Sequence, residues 1–446
     1  MGRVDEGLSL LQDMLAAAGM KLTKTPLRAL LSLLLRRAWL RIRGFGYRGA
    51  YQIDREALRR IDIGWALAIG LSNSDAIRGA DIQTRSLLLA LATGEPSRIA
   101  RGLALQAGML AVSGPKNHAR CATLLAASSA LTTKLGDPFT LGWYHVGASA
   151  VAYYEGRFQD CIDEGEAALA AFARCPGVSW ERTTLRHYAI WCLIWQGNVG
   201  EASRRIRAQL EAAFERGDLY SATDLRLFTS NMAWLADDDP QGARRVAEEA
   251  MAHWSKRGFH AQHYYALYAH GQIDLYLGDG VTALDRVERA WSPLRASMLM
   301  QVQSVRLETL HLRARCALAA ARQDPAKEAL YLRLAKADAR RLAGENSLFA
   351  LPMAELTRAA VAVIEERSPD AASHLRRAIE GFDSAGMRQY AAAARRRLGD
   401  LEGDVAISEE AIRAMEGEGI RDLDRWTRML APGFDPAPLA LMASTT

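Results

Sequence analysis

Proline and β-branched residues are scarce in this chain, and long uncharged stretches are missing. Only 13 of the 446 residues are proline, whereas Ala, Leu, Arg and Glu dominate. Straight side chains lose less rotamer freedom in a helix than β-branched ones, so this composition favours helices over sheets. No run of about 18 uncharged apolar residues occurs, and the sequence therefore predicts no membrane span.

Cysteine is also scarce and carries no metal-binding or redox spacing. The chain has five cysteines and no CxxC pair; they are Cys121, Cys161, Cys175, Cys192 and Cys316. An odd, unclustered set is typical of buried thiols in a reducing compartment rather than of a disulfide framework. With 56 basic and 51 acidic residues, the net charge of +5 does not indicate nucleic-acid binding. No signal-peptide pattern opens the chain, so we expect a cytoplasmic protein.

Catalytic motifs are missing as well. A kinase needs a Gly-rich loop, a strand lysine and the HRD and DFG aspartates, and an ATPase needs GxxxxGK[ST] to hold phosphates. Neither set occurs in the sequence, nor do GxSxG or HExxH. We therefore expect a non-enzyme without a cofactor.

A repeat of about 40 residues is present instead. Four helix-breaking positions follow one another in steps of 41, 41 and 40 residues, at Gly156, Gly197, Asp238 and Gly278. A small side chain stands five residues after each of them, at Cys161, Ala202, Ala243 and Ala283. An aromatic residue stands two before three of them, as Tyr154, Trp195 and Tyr276, with Ala236 as the exception.

This pattern predicts helical hairpins, each with a helix A before the turn and a helix B after it. Gly and Asp tolerate the turn backbone, and the small residue lets the two helices approach closely. One hairpin cannot bury its apolar face, so neighbours must stack. We predict an all-α, right-handed solenoid of 18–21 helices. Its parts are an irregular block over 1–139, a regular array over 140–430 and a flexible tail over 431–446.

The phrase AYYEGRFQDCIDEGEAAL (152–169) resembles the tetratricopeptide superfamily, whose period is 34 rather than about 41. Four segments, 2–48, 77–105, 216–226 and 254–280, resemble the C-terminal arrays of large bacterial proteins. Those proteins carry a eukaryotic-type serine/threonine kinase and a STAND-type ATPase. The resemblance implies a non-catalytic interaction scaffold that binds a protein or peptide partner, with a kinase or ATPase module in the same or a neighbouring polypeptide.

Helix A residues usually line the concave groove of such arrays, and here they are rich in Arg, His, Asn and Tyr. These groups suit peptide backbones and acidic segments. The predicted groove residues are Arg186, Arg226, Asn231, His263, Tyr264, Arg306 and Arg313. Each of them has an alternative reading as an ordinary packing residue.

A basic amphipathic stretch, PLRALLSLLLRRAWLRIRG (26–44), contains no acid. Arg28, Arg36 and Arg43 share one strip beside a broad apolar face. The pattern is typical either of a helix that binds a membrane surface or an acidic partner, or of a helix packed between repeats with a wet arginine edge.

His260, His263 and His270 are the best metal candidates, but no Cys or carboxylate completes the set. We expect no metal site, and a polar-aromatic helix A instead.

Two alternatives to the scaffold function remain open: a ligand-sensing regulatory module of a transcriptional regulator, or the activity of a parent serine/threonine kinase. The opening MGRVDEGLSLLQDMLAAAGM resembles a helix B without its helix A. It predicts either an artificial or mis-called boundary in a longer repeat protein, or another element or chain that covers Leu8, Leu11 and Leu15.

Overall fold

The computed structural model describes residues 25–49, 54–71, 75–252 and 254–434. These residues contain 21 α-helices and no β-strand, which confirms the predicted all-α fold of helical hairpins. The chain forms two compact units, residues 2–189 with 254–261, and residues 190–253 with 262 onward. This boundary differs from the proposed division at residue 139, which stays a prediction, and the opening residues with Leu8, Leu11 and Leu15 lie outside the described ranges.

The first unit contains seven complete helices and the start of an eighth. They are α1 (Pro26–Arg43), α2 (Arg55–Leu71), α3 (Ala76–Thr93), α4 (Pro96–Ala111), α5 (His118–Leu135), α6 (Pro138–Glu155), α7 (Phe158–Phe172) and α8 (Ser179–Gln196). Its core includes Trp143, which is fully buried and meets Trp65 edge to face at 4.5 Å between ring centroids. A 3-10 turn, Pro115–Asn117, precedes α5.

The second unit contains the end of α8 and the remaining helices. They are α9 (Val199–Glu215), α10 (Leu219–Asp224), α11 (Met232–Ala236), α12 (Pro240–Ala252), α13 (Ala261–Tyr276), α14 (Gly280–Ala296), α15 (Gln303–Gln323), α16 (Glu328–Ala343), α17 (Ala350–Ile364), α18 (Ser368–Ser384), α19 (Arg388–Glu402), α20 (Val405–Glu416) and α21 (Leu423–Leu430). Three 3-10 turns join them, at Phe228–Asn231, Leu299–Gln301 and Pro325–Lys327.

The four predicted turn positions all adopt left-handed backbone. Gly156, Gly197, Asp238 and Gly278 have φ values of 78°, 86°, 55° and 79°. At each turn the next N–H donates to a carbonyl five residues back, as from Asn198 to Leu193 at 2.8 Å. This is the Schellman cap, which satisfies the last carbonyls of helix A before helix B begins.

The small side chains that follow the turns are buried. Cys161, Ala202, Ala243 and Ala283 are each at most 1% exposed. The structure therefore confirms the close approach of helix B that the spacing predicts.

One helix A is broken, contrary to the sequence expectation. Residues 219–236 form α10, the 3-10 turn Phe228–Asn231 and α11 rather than one helix. Phe228 has a φ of 53° and is 2% exposed, with its ring 5.0 Å from the rings of both Tyr265 and Tyr268. Packing of this ring stabilises a backbone conformation that a continuous helix could not adopt.

The beginning of the predicted flexible tail is packed. Ala431 and Gly433 are buried, and Arg397 donates to the Ala431 carbonyl at 3.1 Å. The Arg397 guanidinium also lies 5.4 Å from the ring of Phe434. For residues 431–434 the expectation of a frayed tail is therefore wrong, and later residues lie outside the described ranges.

Across the described parts of the chain, no helix is both long enough and apolar enough to cross a membrane.

Candidate partner-binding site

The helices A of the second unit pack against one another through aromatic side chains. The Tyr390 ring of α19 stacks on Trp195 of α8 at 6.2 Å and on Phe382 at 5.3 Å between centroids. It also lies 5.5 Å from His311 of α15. These contacts fill the space between the helices, so the interior of this unit is packed with aromatic rings.

A hydrogen bond and a close approach join the first and last helices A of this unit. Arg388 at the start of α19 donates from Nε to the carbonyl of Gln196 at 3.0 Å. A side chain at Gly197 would come within 3.0 Å of Gln389. The end of α8 and the start of α19 are therefore in contact within the second unit.

Three of the predicted groove residues are buried and paired within the unit. Asn231 donates to the Ala243 carbonyl at 2.9 Å, and Tyr264 donates to Glu308 at 2.5 Å. Arg313 makes two hydrogen bonds to Asp338, at 2.6 and 2.7 Å, and its guanidinium lies 3.5 Å from the centroid of the Trp291 ring. None of the three lines an accessible groove in this structure.

The other predicted groove residues are half-buried. Arg306 makes two hydrogen bonds to Glu345, at 2.5 and 2.9 Å, and Arg226 donates to the Ala222 carbonyl at 2.7 Å. Arg186 and His263 are also half-buried, on α8 and α13. A partner role for all seven residues stays a proposal, and charge reversal at Arg306 would break an internal ion pair rather than probe a groove.

A buried titratable cluster lies among these helices A. Burial raises the pKa of the Glu308 carboxyl to about 8, although the hydrogen bond from Tyr264 opposes this rise. Burial and the nearby Arg315 cation hold the pKa of His311 well below its ordinary value. Both groups are therefore neutral at neutral pH, which suits an interior that water does not reach.

Arg315 links this cluster to the end of the chain. Its side chain is 1% exposed and donates from Nη1 to the carbonyl of Met429 at 2.8 Å. Its Nε and Nη2 have no hydrogen-bond partner among the described residues. The strongest described contact of this buried cation is thus with a carbonyl of α21, the last helix described.

The C-terminal segment, residues 420–434, lies across the ends of several helices A. The Arg421 N–H donates to the Ala236 carbonyl at 2.9 Å, beside the Asp238 turn. The Arg425 guanidinium bonds to Asp238 at 3.0 Å, where Tyr276 also donates at 2.9 Å. A side chain at Gly278 would meet Arg428 at 3.3 Å.

Trp426 is the apolar anchor of the C-terminal segment. It is 0% exposed, and its Nε1 donates to Gln389 at 3.2 Å. Met429 and Leu430 are also fully buried, whereas Arg421 and Asp424 are exposed. The segment is therefore an amphipathic helix whose apolar face is bound by the hairpins, as in helix-in-groove recognition. The sequence did not predict that this segment is bound, because α21 is a single short helix outside the repeat. A tryptophan at position 426 was the one signal of a buried contact there.

In the basic helix α1 of the first unit, some arginines bond to neighbouring helices and others are exposed. Arg36 bonds to Asp81 at 3.2 Å and Arg43 to the Leu91 carbonyl at 3.1 Å, whereas Arg28 is exposed. The second alternative from sequence, a helix packed on repeats, therefore holds for its inner edge.

The three histidines singled out from sequence lie on α13 or just before it. His260 precedes α13, whereas His263 and His270 lie on it. Burial and two nearby arginines lower the pKa of His270 to about 4. Over residues 25–49, 54–71, 75–252 and 254–434, no three His, Cys, Asp or Glu side chains are placed to hold a metal ion.

No known protein-family profile matches the chain, and no curated protein matches it. Among solved structures it is similar to the crystal structure of the TPR domain of P58(IPK), at 12% identity and a TM-score of 0.21. The alignment covers 85% of this chain and 97% of that one.

Proposed function

We propose that the chain is a non-catalytic protein-interaction scaffold whose second unit binds helical segments of partner proteins. The observation that carries this proposal is the C-terminal segment, which the hairpins hold as they would hold a ligand. Trp426 fills an apolar site, Arg315 binds a backbone carbonyl and Asp238 binds a cation. These are the contacts by which grooves recognise amphipathic helices.

In this proposal a partner helix of similar pattern replaces the C-terminal segment. Because the C-terminal segment is on the same chain as the hairpins, its effective concentration at their binding site is about millimolar. A partner must therefore bind more tightly, or a signal must weaken the segment first.

The finer assignment follows the sequence resemblance. We propose that the array serves a bacterial signalling serine/threonine kinase or STAND-type ATPase in the cytoplasm, and that it carries no kinase activity itself. Genomic DNA that encodes such a module in frame with the chain, or beside it, would support the assignment. Transfer of radiolabelled phosphate from ATP by the purified chain would contradict its non-catalytic part.

The binding function is tested with a labelled peptide of residues 420–434 and the full chain. In Arg421→Glu/Arg425→Glu the new carboxylates replace guanidinium groups that bond to the Asp237 carbonyl and the Asp238 carboxylate, so repulsion should release the resident segment. We expect the variant to bind the wild-type peptide, measured by fluorescence anisotropy, at least about 10-fold more tightly than the wild-type chain does.

The matched control is Arg333→Glu/Arg340→Glu, which reverses two exposed arginines on α16. It should behave as the wild-type chain. If the release variant keeps its helical circular dichroism and yet fails to bind the peptide, the hairpins do not bind helices in trans and the proposal is wrong.

A further inference from the structure

Helix α1 is apolar on two opposite faces. Its inner face is buried, with Ala29, Leu33 and Leu40 at 0–4% exposure. Five aliphatic side chains of its outer face are 55–79% exposed, namely Leu27, Leu31, Leu34, Leu35 and Ile42. At 3.6 residues per turn these five share an arc of about 100° on the side away from the core. Such a patch marks an interaction surface rather than ordinary surface apolarity.

Polar contacts fix which face of α1 points outward. Ser32 donates to Asp81 at 2.8 Å, and Arg36 bonds to the same carboxylate at 3.2 Å. Farther along, Arg43 donates to the Leu91 carbonyl at 3.1 Å. Because these bonds lie in the middle of the helix and at its C-terminal end, α1 cannot roll to bury its outer face without breaking them.

The charged residues around the apolar face are all basic. Arg28 and Arg41 are exposed and flank the leucines on opposite sides, with Arg48 exposed just beyond the helix. No acid occurs from residue 25 to residue 49. Trp39, 56% exposed, lies at the same edge of the apolar face as Arg28, about three turns farther along the helix. An aromatic edge with flanking arginines is the usual composition of helices that lie in a membrane interface.

We propose that the outer face of α1 binds the surface of a membrane that contains anionic phospholipids. The leucines and Ile42 enter the boundary between headgroups and acyl chains, while Arg28 and Arg41 reach back to lipid phosphates. A second copy of the chain fits less well, because two such faces would bring like-charged rims together. The proposal rests on the first unit and does not depend on the proposed binding function of the second.

The test is co-flotation of the full chain with vesicles. One set contains phosphatidylcholine alone, and the other contains about 30% phosphatidylglycerol, a mix typical of anionic membrane surfaces. We expect the chain to float with the anionic vesicles and at least about 10-fold less of it to float with the neutral ones. High salt should reduce its flotation with the anionic vesicles, because salt screens the attraction to the arginines. Leu31→Ser/Leu35→Ser should abolish flotation, since it removes the centre of the apolar face.

Two variants complete the design. Leu330→Ser/Leu351→Ser makes the same change at leucines that are each 52% exposed on other helices, and it should float as the wild-type chain does. Arg28→Glu/Arg41→Glu keeps the leucines and should lose the preference for anionic lipid. The proposal is overturned if the wild-type chain does not float, or if the two serine variants float equally. It is also overturned if Leu31→Ser/Leu35→Ser converts a dimer to a monomer in light scattering, because a second copy then covers the face.

Discussion

At the scale of single residues, the buried Glu308 makes the stability of the second unit depend on pH. Its carboxyl has a folded pKa of about 8 against an ordinary value of 4.5. Below pH 4.5 the carboxyl is protonated in both the folded and the unfolded chain, so it costs no stability. Above that pH only the unfolded chain releases the proton freely, and stability falls until the pH passes the folded pKa.

We therefore expect Glu308→Gln to gain stability over the wild-type chain as the pH rises from about 5 to about 8, by at most about 1.4 kcal/mol per pH unit. The amide keeps an acceptor for the Tyr264 hydroxyl, so the packing is retained. Chemical unfolding at several pH values measures the difference between the two chains. His311 has a lowered pKa and acts in the other direction below about pH 6.5, but it is present in both chains and cancels. A difference that does not change with pH would show that Glu308 is ionised in the folded chain.

Gly197 has a left-handed backbone and a close neighbour, whereas Gly403 has only the left-handed backbone. Both have left-handed backbone, with φ values of 86° and 71°, so alanine at either site costs about 1–2 kcal/mol. Only at Gly197 would the added Cβ also come within 3.0 Å of Gln389, whereas nothing lies within 4 Å of it at Gly403. We expect Gly197→Ala to be the more destabilising by a further 1–3 kcal/mol or so in urea unfolding. Equal losses would mean that the ends of the second unit are not in contact.

At the scale of helices, the sequence alone predicts those features that depend only on neighbouring residues. The turns at Gly156, Gly197, Asp238 and Gly278 follow from residue type and spacing, and all four have the expected backbone. The buried small residues follow for the same reason. The break at Phe228 could not be predicted in this way, because the rings that hold it come from α13, about 40 residues farther along the chain.

For the outer face of α1, too, local sequence predicts one part and distant contacts decide the other. Its apolar stripe and its arginines are evident in the sequence, but the pattern alone leaves two apolar faces open to burial. Asp81, on α3, decides which face packs, because it binds Ser32 and Arg36 together. The membrane proposal therefore needed the structure, although every residue it uses was visible beforehand.

At the scale of the chain, the largest departure from expectation is the packed interior of the second unit. Periodicity predicted an open groove lined by residues such as Asn231, Tyr264 and Arg313, and these prove to be buried. Sequence spacing cannot show how strongly an array curves, since curvature depends on contacts between distant repeats. The contact between Gln196 and Arg388 spans more than 190 positions and has no local signal.

In the proposed function the second unit binds a helix, and the helix bound in this structure is its own C-terminal segment. Hydrogen exchange of the full chain, followed by mass spectrometry over Leu423–Leu430, tests it most directly. In the wild-type chain we predict protection of these amides, and in Arg421→Glu/Arg425→Glu its loss while α13 and α15 stay protected. The account is contradicted if the wild-type amides of Leu423–Leu430 exchange at unprotected rates, or if α15 loses protection together with them.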